Sequence, residues 1–222
     1  MTVYHIAAHL SALFVILPVI IGRRNKNFIP PSIKPLYYLL YISFAFDAFG
    51  ITLNELNINN MFLGYFFTAI EFIFLITVYR RFFNIGNSLF YPIAGSFFLM
   101  VMGEAFYSSL YQYNSLSAGT ESTILILCSL LAFYRVMQTM MFERDLLSEP
   151  FFYINTAILI YFAGDLFLFL MSSYLQTHRA KQFPELYLFH SVFHVVYYVL
   201  IALGFVQLKK KLLVSRPKYA IT

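Results

Sequence analysis

Residues 65–82 read YFFTAIEFIFLITVYRRF, an almost unbroken apolar run that holds one acid, Glu71, and closes on Arg80 and Arg81. A helix that crosses the hydrocarbon core of a bilayer needs about 20 mostly apolar residues. Backbone groups in hydrocarbon have no water to bond to, so such a run must satisfy its hydrogen bonds internally as a helix. The stretch therefore predicts a membrane-spanning helix.

The composition extends this prediction to the whole chain. Of its 222 residues, 60% are hydrophobic and 11% are charged, and the mean hydropathy is +0.72. A soluble domain carries about 25% charged residues. We predict an all-α, polytopic seven-helix transmembrane domain over residues 1–208 and a basic cytoplasmic tail over 209–222. The predicted spans cover residues 3–22, 36–54, 61–83, 89–112, 121–142, 150–175 and 185–208.

Basic residues set the predicted orientation. If the N-terminus lies outside and the C-terminus inside, all of the 15 Lys and Arg residues except Arg179 and Lys181 fall on the cytoplasmic side. The positive-inside rule favours this arrangement. The charges sit at span ends rather than along one face, which argues against a nucleic-acid partner. We expect the partner to be the lipid bilayer, in a plasma membrane such as the inner membrane of a bacterium.

Acids within the predicted spans are the first candidates for function. Asp47, Glu71, Glu104 and Asp165 lie on four different spans, and a rise of about 1.5 Å per residue puts them at similar depths in the outer half of the membrane. A charged side chain at mid-bilayer costs at least about 2.5 kcal/mol, so such residues face the bundle interior or a wet cavity. They either join helices through hydrogen bonds or line a site, and both interpretations are open.

Two histidine pairs accompany these acids. His5 and His9 lie on the first predicted span, and His190 and His194 lie on the last. Residues four apart share a helix face, so the two pairs converge if the first and last helices are neighbours. We predict a polar pocket that faces away from the cytoplasm and is formed by Asp47, Glu71, Glu104, Asp165, His190 and His194.

Four segments carry a resemblance to a known kind of membrane module. They are FAFDAFGITLNELNINN at 44–60, YFFTAIEFIFLITVYRRF at 65–82, FYINTAILIYFAGDLFLF at 152–169 and LFHSVFHVVYYVLIALGF at 188–205. In this pattern of apolar residues with scattered polar ones, the chain resembles the small seven-helix sensor-like modules found beside, or fused to, bacterial histidine kinases. The resemblance implies a membrane location and signalling, but no particular site residues. Signalling would require a cytoplasmic or membrane partner such as a histidine kinase.

We expect a sensor or receptor that uses the polar pocket, with no catalytic residues and no cofactor. One alternative is a metal-dependent hydrolase acting on a lipid, because His190 and His194 look like the HxxxH pair on helix 7 of ceramidase- and adiponectin-receptor-like enzymes. Zinc would then need a further ligand, which would have to be His5, His9 or a carboxylate, since the second and third predicted spans contain no histidine. A proton-coupled carrier or a haem protein is a further alternative.

Overall fold

The structure is a computed structural model, and it describes residues 3–108, 110–140, 146–178 and 183–215. These residues form eight α-helices, joined by short turns that include the 3-10 turns Lys26–Phe28 and Leu146–Ser148. The helices are α1 (Val3–Leu13), α2 (Ile16–Arg24), α3 (Lys34–Glu55), α4 (Phe62–Phe83), α5 (Asn87–Ser108), α6 (Ser115–Met140), α7 (Pro150–His178) and α8 (Phe183–Ser215).

Six of these helices, α3 to α8, are long and apolar enough to cross a membrane. The prediction of an all-helical membrane protein is therefore confirmed at that level. Most helix ends lie within a few residues of their predicted positions, and two differ more. α6 begins at Ser115 rather than at 121, and α8 continues to Ser215 rather than ending at 208.

The first predicted span, 3–22, consists of two helices separated by Phe14 and Val15. Pro18 explains the break, because it has no N–H to donate to the carbonyl of Phe14 and its ring crowds that carbonyl. The amide of Val15 bonds to the carbonyl of Ala12, three residues back, at 3.4 Å. Both pieces, α1 and α2, pack against α8.

Contacts between helix ends gather the basic side chains at one end of the bundle. Arg81 donates a hydrogen bond to the carbonyl oxygen of Pro31, and Nδ2 of Asn25 donates to that of Phe205 at 3.2 Å. We call this the basic end, because it holds Arg23, Arg24, Lys26, Lys34, Arg80, Arg81, Arg135, Lys209, Lys210 and Lys211. The predicted clustering of positive charge on one side therefore agrees with the helix packing. Arg144, Arg179, Lys181, Arg216 and Lys218 lie outside the described residues.

The opposite end is held together by asparagine side chains. Nδ2 of Asn114 donates to the carbonyl of Gly64 at 3.3 Å, and Nδ2 of Asn59 donates to that of Tyr111 at 3.4 Å. These bonds tie the start of α4 to the turn that precedes α6. From α3 to α8, helices that follow one another along the chain therefore alternate in direction between the two ends.

A buried polar network connects α7 to α4 and α6. Asn155 is 1% exposed, and its Nδ2 donates to the carbonyl of Ser129 at 2.9 Å. Its Oδ1 accepts from the hydroxyls of Tyr79, at 2.9 Å, and Ser129, at 3.0 Å. Around it lies the apolar core, to which α3, α4, α6, α7 and α8 all contribute. The network fixes how α7 is rotated relative to α6.

The other side of α7 approaches α8 closely at Gly204. A Cβ atom at this position would lie 2.8 Å from Cγ1 of Ile154 and 3.2 Å from the carbonyl oxygen of Pro150. A larger residue would therefore push the two helices apart.

Asn155→Ala should destabilise the protein, because it leaves the hydroxyl of Tyr79 without its buried acceptor and removes the two bonds between Ser129 and the Asn155 side chain. An unpaired buried polar group costs about 1–3 kcal/mol, and we expect a lower midpoint of thermal unfolding in detergent. Thr156→Ala is the control, because that hydroxyl bonds only to Phe152 of its own helix, at 2.7 Å. Equal midpoints for the two variants would contradict the role of the network.

Candidate functional site

Asp165 of α7 and His190 of α8 form a polar pair inside the bundle. Asp165 is fully buried, and its Oδ2 lies 2.7 Å from Nδ1 of His190. Gly164 makes this contact possible, because a Cβ there would lie 2.5 Å from the ring of Phe193. The phenyl ring packs directly on the backbone of α7, and this brings the acid and the histidine together.

His194 lies one helical turn beyond His190 on the same face of α8. The two rings stack with their centroids 5.3 Å apart, and the ring of Tyr198 lies 4.5 Å from that of His194. Tyr161 of α7 lies 5.8 Å from each histidine ring. Both histidines predicted from the HxxxH pattern therefore face α7.

Two further carboxyl groups lie close enough to this pair for their charges to interact with it, and a third lies close to one of those two. Glu71 interacts with Asp47 and with Asp165. Asp47 interacts with His190, and Glu121 with Glu71. Five helices, α3, α4, α6, α7 and α8, therefore contribute to one set of residues. We call it the acid–histidine cluster, and it consists of Asp47, Glu71, Glu121, Asp165, His190 and His194.

Several oxygens of this cluster have no protein partner. Asp47 Oδ2, Glu121 Oε1 and Asp165 Oδ1 are buried and make no hydrogen bond in the described part of the chain. The hydroxyl of Tyr197, which lies near Glu71 and Glu121, is also buried and makes no described hydrogen bond. Buried polar groups are almost always hydrogen-bonded, so each exception requires an explanation. Here the three unpaired carboxyl oxygens come from three helices and belong to one cluster, which points to a site.

Glu104, the remaining predicted pocket acid, belongs to α5, and its side chain contacts the first turn of α6. Its Oε1 accepts from the amide of Leu116 at 2.9 Å, and its Oε2 accepts from the amide of Ser117 at 2.8 Å and from the Ser117 hydroxyl. Negative charge is favourable at a helix N-terminus, where amides lack partners within the helix. Both oxygens of Glu104 are engaged there, and the described contacts do not join it to the cluster.

The histidines of the first predicted span do not join the cluster through any described contact. Nε2 of His9 lies 3.7 Å from Oε1 of Glu55, an exposed acid at the end of α3. The side chain of His5 lies outside the described residues. Among the side chains that are described, there is no group of three or more His, Cys, Asp or Glu residues able to hold a metal ion. The third ligand that a zinc site at His190 and His194 would need is thus not seen among the described side chains.

The sequence prediction omits Glu121 from the candidate site. It treats this residue as the first of span 121–142, at the membrane surface, whereas α6 begins at Ser115 and Glu121 lies more than one turn inside. Its side chain is 2% exposed. The sequence feature that indicates the earlier helix start is Ser115, because serine commonly caps the first turn of a helix.

Two grooves open at the basic end, with volumes of about 450 Å³ and about 320 Å³. Neither is lined by a residue of the acid–histidine cluster. The outward-facing pocket thus stays a prediction, and the described contacts bring together its predicted residues Asp47, Glu71, Asp165, His190 and His194 but not Glu104.

The fold and site define an all-helical membrane protein with an acid–histidine cluster between its helices. Comparison of the chain with protein-family models, with curated proteins and with solved structures gives no match. The function must therefore be argued from the cluster itself.

Replacing Glu104 by alanine should loosen the first turn of α6, because the amides of Leu116 and Ser117 lose their acceptor. Helix caps of this kind contribute about 1 kcal/mol, so we expect several-fold faster hydrogen exchange at these two amides, measured by mass spectrometry. Glu55→Ala is the control, since Glu55 lies on α3. Unchanged exchange in Glu104→Ala would show that the carboxylate does not stabilise this helix end.

Proposed function

We propose that the chain crosses the membrane seven times, with the N-terminus outside and the C-terminus in the cytoplasm. In this topology α1 and α2 together form the first span. Their 11 and 9 residues cover about 30 Å at about 1.5 Å per residue, which is close to the thickness of the hydrocarbon core. The basic end supports the orientation, because positive residues accumulate on the cytoplasmic side. The membrane would be the plasma membrane, the inner one in a bacterium.

Labelling of single cysteines on intact cells tests this topology. In a Cys128→Ala background, a membrane-impermeant maleimide should label Ile58→Cys, at the end away from the basic residues, and should reach Asn27→Cys only after lysis. The reverse pattern would overturn the orientation. An N-terminal epitope tag tests the span count, because it should be accessible from outside. A tag protected together with Asn27→Cys would show that α1 and α2 do not cross.

We further propose that the protein is a sensor or receptor that responds to a small cation at the acid–histidine cluster. The observation that carries this proposal is that carboxyl groups from α3, α4, α6 and α7 lie in one cluster with His190, where three buried oxygens have no hydrogen-bond partner in the described part of the chain. A buried charge is costly unless it is paired. A cation bound among these oxygens would supply the missing partner, and the output would pass to a partner protein such as a histidine kinase.

The position of the cluster suggests how binding would be transmitted. Its members sit on five helices, and the hydrogen bond described within it joins Asp165 to His190. In the described structure these side chains do not come close enough to hold a metal ion together, so a cation that bridges the acids of α3, α4 and α6 would draw those helices towards the pair between α7 and α8. A ligand shifts a conformational equilibrium only by its difference in affinity for the two states. In this proposal that difference arises from how closely the carboxyl groups approach one another.

A proton-coupled carrier is the second candidate, favoured by Tyr161, which lies beside both histidines of the cluster. Acid and histidine chains inside a membrane suit proton relay. The metal-dependent hydrolase has one observation in its favour, since histidines that bind metal usually bond to a carboxylate through the other ring nitrogen. The pair of Asp165 and His190 has this arrangement, although a third ligand is missing from the described side chains.

Thermal unfolding of the full chain in lipid nanodiscs tests cation binding. At fixed pH, sodium, potassium, magnesium, calcium and zinc are added separately to a choline chloride buffer. We expect one of them to raise the unfolding midpoint of the wild type, since a ligand at 100 times its Kd stabilises by about 2.7 kcal/mol. The shift should disappear in Asp47→Asn and in Glu121→Gln.

Glu55→Gln provides the matched control, because it neutralises an acid outside the cluster and should keep the shift. If no cation moves the midpoint, or if all three variants respond as the wild type does, cation binding at the cluster is wrong. A shift that only zinc produces, and that His190→Ala and His194→Ala both remove, would favour the hydrolase. Proton flux above that of empty vesicles, in liposomes loaded with a pH-sensitive dye, would favour the carrier over the sensor.

A further inference from the structure

A groove between α2 and α8 opens at the basic end of the bundle. Its volume is about 450 Å³. Below it, Nδ2 of the buried Asn25 donates to the carbonyl of Phe205 at 3.2 Å and joins the two helices. The groove is lined by Ile21, Arg24, Asn25, Val206, Lys209 and Lys210.

The cations on the rim of this groove have no acidic partner in the described part of the chain. Arg24, Lys209 and Lys210 are exposed, and none of the described ion pairs includes them. The next residue, Lys211, differs, because its Nζ lies 2.6 Å from Oε2 of Glu149. The groove therefore has a positive mouth, formed by three cations that no described acid neutralises.

Beyond the residues that line the groove, apolar side chains continue along the same faces of α2 and α8, away from the positive mouth. On α2, Leu17, Ile21 and Arg24 follow at intervals of four and three, so they share one face. On α8, Leu203, Val206 and Lys210 follow at intervals of three and four, so they also share one face. Leu17 is 40% exposed and Leu203 is 44% exposed. Each helix thus presents an apolar strip that ends in a cation.

This combination matches the chemistry of one class of ligand. A phospholipid carries phosphate at the membrane surface and acyl chains below it, in the same order as the cations and apolar residues of the two strips. Basic pockets between transmembrane helices on the cytoplasmic side bind anionic headgroups. We propose that the groove between α2 and α8 is a site for an anionic phospholipid, with its phosphate on Arg24, Lys209 and Lys210. The proposal does not depend on what the acid–histidine cluster binds.

A second groove at the same end offers a comparison. It is lined by Lys34, Pro35, Tyr38, Ile73, Phe74, Thr77 and Arg81, and its volume is about 320 Å³. Arg81 already donates a hydrogen bond to the carbonyl oxygen of Pro31, which leaves Lys34 as the cation with no described side-chain partner. The groove between α2 and α8 is therefore the stronger anion site of the two.

Native mass spectrometry of the full chain, released from detergent and titrated with defined lipids, tests the proposal. We expect phosphatidylglycerol and cardiolipin to bind more tightly than phosphatidylcholine. The triple variant Arg24→Gln/Lys209→Gln/Lys210→Gln should bind the anionic lipids roughly 100-fold more weakly, from the attraction of three cations. The control Arg23→Gln/Lys26→Gln/Lys34→Gln removes the same charge from the same end and should bind as the wild type does.

Three results would overturn the lipid site. They are equal losses in the triple variant and its control, equal affinity for phosphatidylcholine, and displacement of the lipid by millimolar inorganic phosphate, which would indicate a site for free phosphate. Circular dichroism checks that each variant is folded. If the triple variant is not, Arg24→Gln and Lys210→Gln are tested singly, and each should weaken anionic lipid binding several-fold relative to Lys26→Gln.

Discussion

α7 carries polar side chains towards its neighbours because the hydrocarbon around the bundle offers them nothing to bond to. On one side Asn155 bonds to Ser129 of α6, and on the other Asp165 lies against His190 of α8. Two glycines, Gly164 and Gly204, bring α7 and α8 close enough for the second contact. The positions of α6, α8 and both cluster histidines follow from this packing.

The sequence predicts most of this fold because hydrophobic length is a strong signal in a membrane protein. It fails where hydrogen bonds, rather than hydropathy, determine where a helix begins or breaks. The first span looks continuous, yet Pro18 removes one bond and divides it into α1 and α2. The start of α6 looks like a loop, because residues 115–120 are rich in serine, glycine and threonine. Glu104 from α5 bonds to the first amides of that segment, and no local pattern reveals a partner 12 residues away.

Prediction of the candidate site succeeds and fails for a related reason. Counting residues along a helix gives the depth of a side chain but not its direction around the helix. Because Glu104 and Asp165 have similar predicted depths, the sequence places them in one pocket. In the structure, Glu104 bonds to amides of α6, whereas Asp165 bonds to His190. An error in one helix boundary places Glu121 at the surface, whereas it is buried beside Glu71. The HxxxH spacing of His190 and His194 defines a face as well as a depth, and both residues lie in the cluster.

The buried acids of this chain find partners in different ways, and that difference separates structural acids from candidate functional ones. Glu104 bonds to helix amides, and Glu149 pairs with Lys211 at the basic end. Both arrangements are complete and need no ligand. Asp47 and Glu121 keep a buried oxygen without a partner in the described chain. A stable fold could avoid that cost by placing apolar residues there. Asp47 and Glu121 instead come from two helices that both pack against α4, and this arrangement is the reason for proposing a cation at the cluster.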